Sequence, residues 1–573
     1  MANLKRNSTL LMITVGALAL AACGANDIAS PGTGGNVTIN NITPPPPPAP
    51  PPPPPTVSLV TPAQGCPTIS DPIGLTDAGT ITGPTGTYRV CNLPARITRS
   101  SSLPRLAGLL YQMPSRVDVG YDNGPTALSA TNTRVVTTPQ GTPLTLTADS
   151  NVTLTIAPGV VLFGGSGQAW LAVNRGNRIN AVGTATAPIV FTSRDNILGL
   201  NTDTSSGQWG GVVLLGRAQI TDCAAAGATP GTNACERQTE GAVDPALFGG
   251  VNNLDNSGRM SFVQIRFSGF ILSANTELQA LTTEGIGEGT VIDHVQSFNS
   301  SDDGAEFFGG HVAMKYYISV GAEDDNIDTD TGIKGNFQYV IAVQRAGSAA
   351  AGADAMIEAD SDNAVDGDLP RHNVNVSNAT FIQRSLNSFS DQASILIRGG
   401  ADYTLVNSLL VSDPLNPCFR ISRAQTASTT QNAAIDEFGA PRFRSVQMQC
   451  AATRYIASNT AAAGTAPAFS VTDVQNIFGA GTNNNSDTYV PTLTSLFING
   501  ATETAVPAFN PATLNGVVFN SITLTPAGFF DATTYVGAVQ NAADTWYTQW
   551  TCNSSTAMFG TGNTGMCTSL PTI

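Results

Sequence analysis

Charge is scarce in this chain. Only 12% of its residues are Asp, Glu, Lys or Arg, against about 25% in an average soluble protein. Bases are rarer than acids, 26 against 41, and the formal net charge is −15. Such a surface repels phosphate backbones and argues against nucleic acid as a partner. Histidine is rarer still, with three in 573 residues, and no Ser/His/Asp grouping is legible. No CxxC spacing occurs, which removes the usual zinc and dithiol motifs. Helical periodicity is almost missing. Apolar residues instead come in runs of four to six cut by Gly and Pro, the pattern of short strands. The apolar run at residues 10–20 is too short to span a bilayer as a mature helix.

That run belongs to an export signal. Lys5 and Arg6 precede it, and Leu20-Ala21-Ala22-Cys23 closes it. The segment resembles the lipobox of bacterial lipoproteins. The resemblance implies cleavage after residue 22, leaving the mature chain still more acidic, and lipidation of Cys23. Gly24 in place of Asp implies release to the outer membrane. Several acyl chains anchor stably where one is marginal. Residues 23–56 form a tether. Glycines 32, 34 and 35 give flexibility, and the prolines from 44 to 55 form a polyproline II rod of roughly 35–40 Å at about 3.1 Å per residue.

Eight cysteines remain, in four sequence-local pairs. In an exported chain an even count favours disulfides. Locality predicts Cys66–Cys91, Cys223–Cys235, Cys418–Cys450 and Cys552–Cys567.

The strand signals set the fold class. Residues 144–147, 152–156, 160–163, 170–173, 178–181, 189–192 and 209–215 read as successive strands. The gaps are too short for crossover helices, so parallel pairing requires a coil of strand, turn and strand. The clearest repeat lies in SDDGAEFFGG (301–310) and EDDNIDTDTGIKG (323–335), which align at an offset of 22 residues. Asp302 falls on Asp324, Asp303 on Asp325, Glu306 on Asp328, Val295 on Tyr317 and Phe298 on Val320. A repeat of this length marks a solenoid. The predicted fold is all-β: a right-handed parallel β-helix over 131–425, with an irregular N-terminal cap over 57–130 and a C-terminal cap over 426–573. Within it, 354–368 is an acidic insertion, and Arg398-Gly399-Gly400 echoes Phe308-Gly309-Gly310. A short helix is expected at 472–478, with Thr472 as N-cap and Gly479 after its end. Residues 514–524 read as strand.

Several of these segments carry a family likeness. APGVVLFGGSG, LAVNRGNRINAVGTATAPIVFTS and WGGVVLLGRA lie within 157–218. GTVIDHVQSFNSSDDGAEFFGGHV and EDDNIDTDTGIKGNFQYVIAVQ follow, and FFDATTYVGAV with Trp546 and Trp550 comes near the end. They resemble a group of secreted or lipid-anchored bacterial β-helix proteins. The resemblance implies fold and export. It also implies, by association with TonB-dependent receptors, a role at the outer membrane or cell surface.

The stacked acids carry the chemistry. Neighbouring coils lie about 4.8 Å apart, and at 5 Å and an effective dielectric of 20 each like pair repels by roughly 3 kcal/mol. Water, turn amides, a raised pKa or a cation must relieve this. As a solvated turn, the aspartates cap backbone amides. As a metal site, Asp302, Asp303, Glu306, Asp324, Asp325, Asp328 and Asp330 supply the hard oxygens that suit Ca²⁺. Asp324, Asn326, Asp328 and Asp330 alternate as in a calcium loop, but the EF-hand glycine and glutamate are missing. The function expected is a non-enzymatic surface scaffold that binds Ca²⁺ and presents a face to a glycan or protein partner. The alternative is a polysaccharide-degrading enzyme. Asp302-Asp303 with Gly309-Gly310-His311 resembles the paired aspartates and Gly-His segment of polygalacturonases, which implies acid and base roles for the two aspartates. Lys334 or Arg398 is left to hold a uronate, although neither stands in that family's arrangement. Trp170, Trp209, Trp546 and Trp550 are candidates for stacking sugars or filling the core. The GxGxxG match at 560–565 lies between two cysteines with no strand before it, which removes its meaning.

Overall fold

The computed structural model describes residues 59–242, 245–273, 276–346, 355–361, 367, 369–384, 393–458 and 469–571. The signal segment, Cys23 and the proline rod lie outside the described residues, as do residues 354, 362–366 and 368 of the expected insertion, whose residues 357–359 form a strand. No described helix is long and apolar enough to cross a membrane.

Among the described residues two sheets dominate, one of 17 strands and one of 11. The chain alternates between them. β1 (Gly258–Arg266), β3 (Val291–Phe298), β5 (His311–Val320), β7 (Lys334–Val343) and β9 (Asn373–Gln383) stack in the larger sheet. β2 (Leu281–Glu284), β4 (Ala305–Phe308), β6 (Asp328–Asp330), β8 (Ile357–Ala359) and β10 (Ile395–Ile397) stack in the smaller. Every one of these neighbouring pairs is parallel. The fold is a parallel β-helix. The offset of 22 is a true register: Val295 pairs with Tyr317, Phe298 with Val320, and Glu306 with Asp328.

Alternation along each strand sorts its side chains. In the smaller sheet Leu281, Ala305 and Ile357, and then Phe307, Ala359 and Ile397, point into one continuous core. The residues between them face outward. In the larger sheet each strand bends at one residue with positive φ: Phe262 (52°), His294 (50°), Tyr316 (60°), Tyr339 (64°) and Asn378 (54°). This conformation costs a non-glycine residue roughly 1–2 kcal/mol. Stacking offsets it here. The rings of Phe262 and His294, His294 and Tyr316, and Tyr316 and Tyr339 lie 4.2, 4.4 and 4.9 Å apart.

The expected boundaries shift at both ends. Parallel pairing begins before residue 131, with Gly86–Asn92 on Leu109–Met113 and Arg96–Ile97 on Val117–Val119. It persists beyond 425, since Phe419–Ser422 pairs with Tyr455–Ser458. Short coils with little alternation hide both extensions. The C-terminal end is closed by the helix Val471–Phe478, whose Val474 and Phe478 join the core. Its N-cap is Ser470, two residues before the expected Thr472. Ser470 and Asp473 form a reciprocal capping box, and Gly479 ends the helix at φ 68°. Residues 514–524 hold a tight antiparallel hairpin, Val518–Phe519 on Ile522–Thr523, rather than one strand.

Most of the remaining tail does not cap an end. It runs back along the outer face of the larger sheet. Gln338 and Gln296 clamp its backbone, donating to the carbonyls of Asp531 and Cys552 (both 3.1 Å) and accepting from their amides. Trp550 stands edge-on over His294 at 5.5 Å, and Trp546 packs on Tyr316 at 5.3 Å. Leu570 reaches the cluster of Ile81, Tyr88 and Val90. The aromatic ladder is an apolar outer face that needs a cover, and the tail supplies it. All four cysteine pairs are bonded as expected: 66–91, 223–235, 418–450 and 552–567.

Candidate metal centre

The acidic residues gather on the outer face of the smaller sheet and in the turns before its strands. Register places Thr282, Glu306, Asp328, Glu358 and Leu396 on successive rungs of one column. Glu284, Phe308 and Asp330 form the neighbouring column. Three sets of carboxylate oxygens converge, each within 4.8 Å of one another: Asp302, Asp303 and Asp324; Asp303, Glu306 and Asp328; and Asp325, Asp328 and Glu358.

The turn aspartates serve the backbone as well. Asp303 accepts from the amide of Asp325 at 2.8 Å, and Asp325 accepts from that of Ala355 one coil further on, at 2.5 Å. Asp302 accepts from Gln279 at 3.2 Å. Capping and convergence therefore coexist at these residues. Glu306 differs. It is only 7% exposed, and its carboxylate makes no hydrogen bond or ion pair among the described residues, yet it faces those of Asp303 and Asp328. Burial, followed by Asp328 and Asp303, raises its pKa well above the usual range. Burial and neighbouring acids likewise raise Asp302, Asp303 and Asp330.

Six of the seven expected ligands are brought together. Asp330 is not. It faces Asp360 and Arg398 instead. The alternating calcium loop also dissolves, because Asn326 is buried and its amide oxygen accepts from Ser319 at 2.9 Å. Glu358 was missed by the sequence reading. The offset between coils grows there from 22 to 30 residues, so the repeat that aligned Glu306 with Asp328 does not extend to it. The alternation of Ile357-Glu358-Ala359, like that of Ala305-Glu306-Phe307, was the available signal.

Of the groups named for catalysis, Asp302 and Asp303 sit together in the first set, whereas Lys334 and His311 are engaged by other acids. Lys334 is buried in an ion pair with Asp436 at 2.6 Å. His311 bonds Glu288 at 3.1 Å. His372 is buried, which pulls its pKa down to about 3, and His294 belongs to the aromatic ladder. Trp209 and Trp550 are core residues.

A separate cavity of about 510 Å³ opens on earlier coils. Arg96, Arg116, Thr138, Trp170 and Leu272 help to line it. Arg116 lies 4.6 Å over Trp170, Arg96 lies 5.0 Å over Tyr121, and both arginines brace on Asp118. Planar guanidiniums held on aromatic faces suit an anionic or hydroxyl-rich ligand.

Glu284 gives the clearest pH dependence. It is fully buried, and Thr239 donates to it at 2.6 Å. Burial raises its pKa from 4.5 to about 8, with Thr239 and Arg237 opposing and Glu240 reinforcing. A raised folded pKa means that the folded state holds the proton more tightly. Its stabilisation is complete below pH 4.5 and is lost as pH rises through about 8. In EDTA, the wild-type melting temperature should fall more steeply between about pH 5 and about pH 9 than that of Glu284→Gln. Equal slopes would contradict the assignment.

No curated protein and no solved structure matches the chain. Residues 136–494, more than half of its length, match the Pectate-lyase like beta helix domain, and the chain belongs to that family.

Proposed function

We propose that the protein is a lipid-anchored outer-membrane scaffold that binds Ca²⁺ on its acidic ladder and presents its β-helix to a glycan or protein partner. Glu306 carries the metal part of this reading: a buried carboxylate with no hydrogen bond or ion pair among the described residues, aimed at two others. The donors are all carboxylate oxygens, which suits a hard cation. Ca²⁺ tolerates the irregular geometry of a stacked turn better than Mg²⁺ does. Polysaccharide degradation is equally compatible with the family. The scaffold is favoured because Asp303 is committed to a backbone amide and Lys334 to Asp436.

Anchoring rests on Lys5, Arg6, the apolar run and Leu20-Ala21-Ala22-Cys23. The glycan arm rests on the Arg96/Arg116/Trp170 cavity. Outer-membrane receptors of the TonB-dependent kind are the protein partners that the sequence resemblance favours.

Three measurements test the parts. Millimolar Ca²⁺ should raise the melting temperature and EDTA should lower it, while Glu306→Gln should weaken Ca²⁺ binding at least about tenfold. Equal melting in EDTA and Ca²⁺ would sink the metal site. Cys23→Ser in the full chain should move the protein from the membrane to the soluble fraction; retention in the membrane would remove the anchor. Calorimetric titration with a uronic-acid disaccharide should give heat where a neutral disaccharide gives none, and Thr138→Trp should abolish it. Binding unaffected by Thr138→Trp would place any sugar elsewhere.

A further inference from the structure

The acidic column does not stop at Asp328. Its next rung, Glu358, is only 8% exposed and shares the third convergent set with Asp325 and Asp328. One difference separates this set from those below it. A cation already sits there. The guanidinium of Arg398 pairs with Glu358 and lies 3.4 Å from Asp360. The pairing is a meeting of charges rather than a directed fork, since Glu358 Oε1 and Arg398 Nε make no hydrogen bond although both are buried.

The backbone explains how the arginine gets there. Arg398 stands one residue past the pairing of Ala359 with Ile397. It occupies the outward position that carries Phe308 and Asp330 on earlier coils. Gly399 and Gly400 follow with φ of 59° and 78°, the same turn that Gly309 and Gly310 make at 61° and 76°. A Cβ on Gly399 would come within 1.6 Å of Asp360 Oδ1. The glycine turn is therefore what lets this coil press onto Asp360 and deliver the arginine. On the earlier coil the same position holds Phe308, which carries no charge, and the arginine over its ring, Arg237 at 5.6 Å, is ion-paired with Asp222 and Glu240.

We infer that Asp325, Asp328 and Glu358 form a second divalent-cation position whose charge Arg398 supplies from within the chain, so that Arg398 sets how many metal ions the ladder takes. The inference rests on the Ca²⁺ reading for the lower position, where no base among the described residues is ion-paired with Glu306 and Arg237 acts on it only at longer range. It differs from that reading in assigning Glu358 as a ligand and Arg398 as a tethered substitute for the ion.

The experiment counts bound Ca²⁺ by calorimetry on the full chain. Arg398→Gln should bind one more Ca²⁺ than wild type, and Arg398→Lys no more. The double variant Glu358→Gln with Arg398→Gln removes both charges together and should return to the wild-type count. An unchanged count in Arg398→Gln, with wild type binding normally, overturns the inference and leaves the lower site standing. Binding in Arg398→Gln but none in wild type overturns the lower site and supports the inference. If Arg398→Gln folds only when millimolar Ca²⁺ is present, the ion has replaced the arginine. If it stays unfolded with Ca²⁺, the inference is wrong.

Discussion

Parallel stacking at about 4.8 Å per coil is the constraint on which the rest depends. It repeats whatever the sequence places at a position, favourable or not. Apolar residues repeated in this way become a core, as Ala305, Phe307 and Ala359 do. Aromatic residues become a ladder of rings. Acids become a column of like charges, and that is the one repetition the fold does not tolerate by itself. Near neighbours repel by roughly 3 kcal/mol each at an effective dielectric of 20. A domain is stable by only about 5–15 kcal/mol in total, so several such pairs require a remedy.

The protein applies different remedies across the two acidic columns and the turns before them. Asp303 and Asp325 turn their carboxylates onto the amide of the next coil, so each repeat of the acid also repeats its own donor. Glu358 and Asp360 receive Arg398. Glu284 is held by Thr239 with its pKa raised. Glu306 receives none of these. A cation and a proton remain as the two ways to relieve it, and they compete: the metal needs the carboxylate that the proton neutralises.

Legibility followed the length of the coils. Between residues 291 and 343 two coils have nearly equal length, and the offset of 22 delivered the register of Glu306 on Asp328 from sequence alone. Beyond 343 the turns lengthen, the offset changes to 30, and Glu358 falls out of the alignment although it occupies the same column. The disulfides were legible because each joins cysteines close in sequence, at separations of 12 to 32 residues. The tail was legible as a motif but not in its role. Nothing in FFDATTYVGAV says that it lies along β7 and β9. That placement arises from amides of Gln338 and Asn378 contacting carbonyls about 157–193 residues away in sequence. Long-range hydrogen bonds of this kind leave no local pattern.

The two outer faces now explain why the specific motifs of the family likeness cluster where they do. Residues 289–344 supply the acidic turns on one sheet and the bent aromatic strands on the other. FFDATTYVGAV, Trp546 and Trp550 supply the cover for those same strands. Motif and tail are thus two halves of one packing unit, separated by roughly two hundred residues of looser coil. That unit leaves the larger sheet closed over these coils and the smaller sheet with its carboxylates outward. Among the described residues, the tail's clamping hydrogen bonds and ring contacts fall on the larger sheet, while the convergent carboxylates lie on and before the strands of the smaller one. The electrostatic problem belongs to the coil register alone.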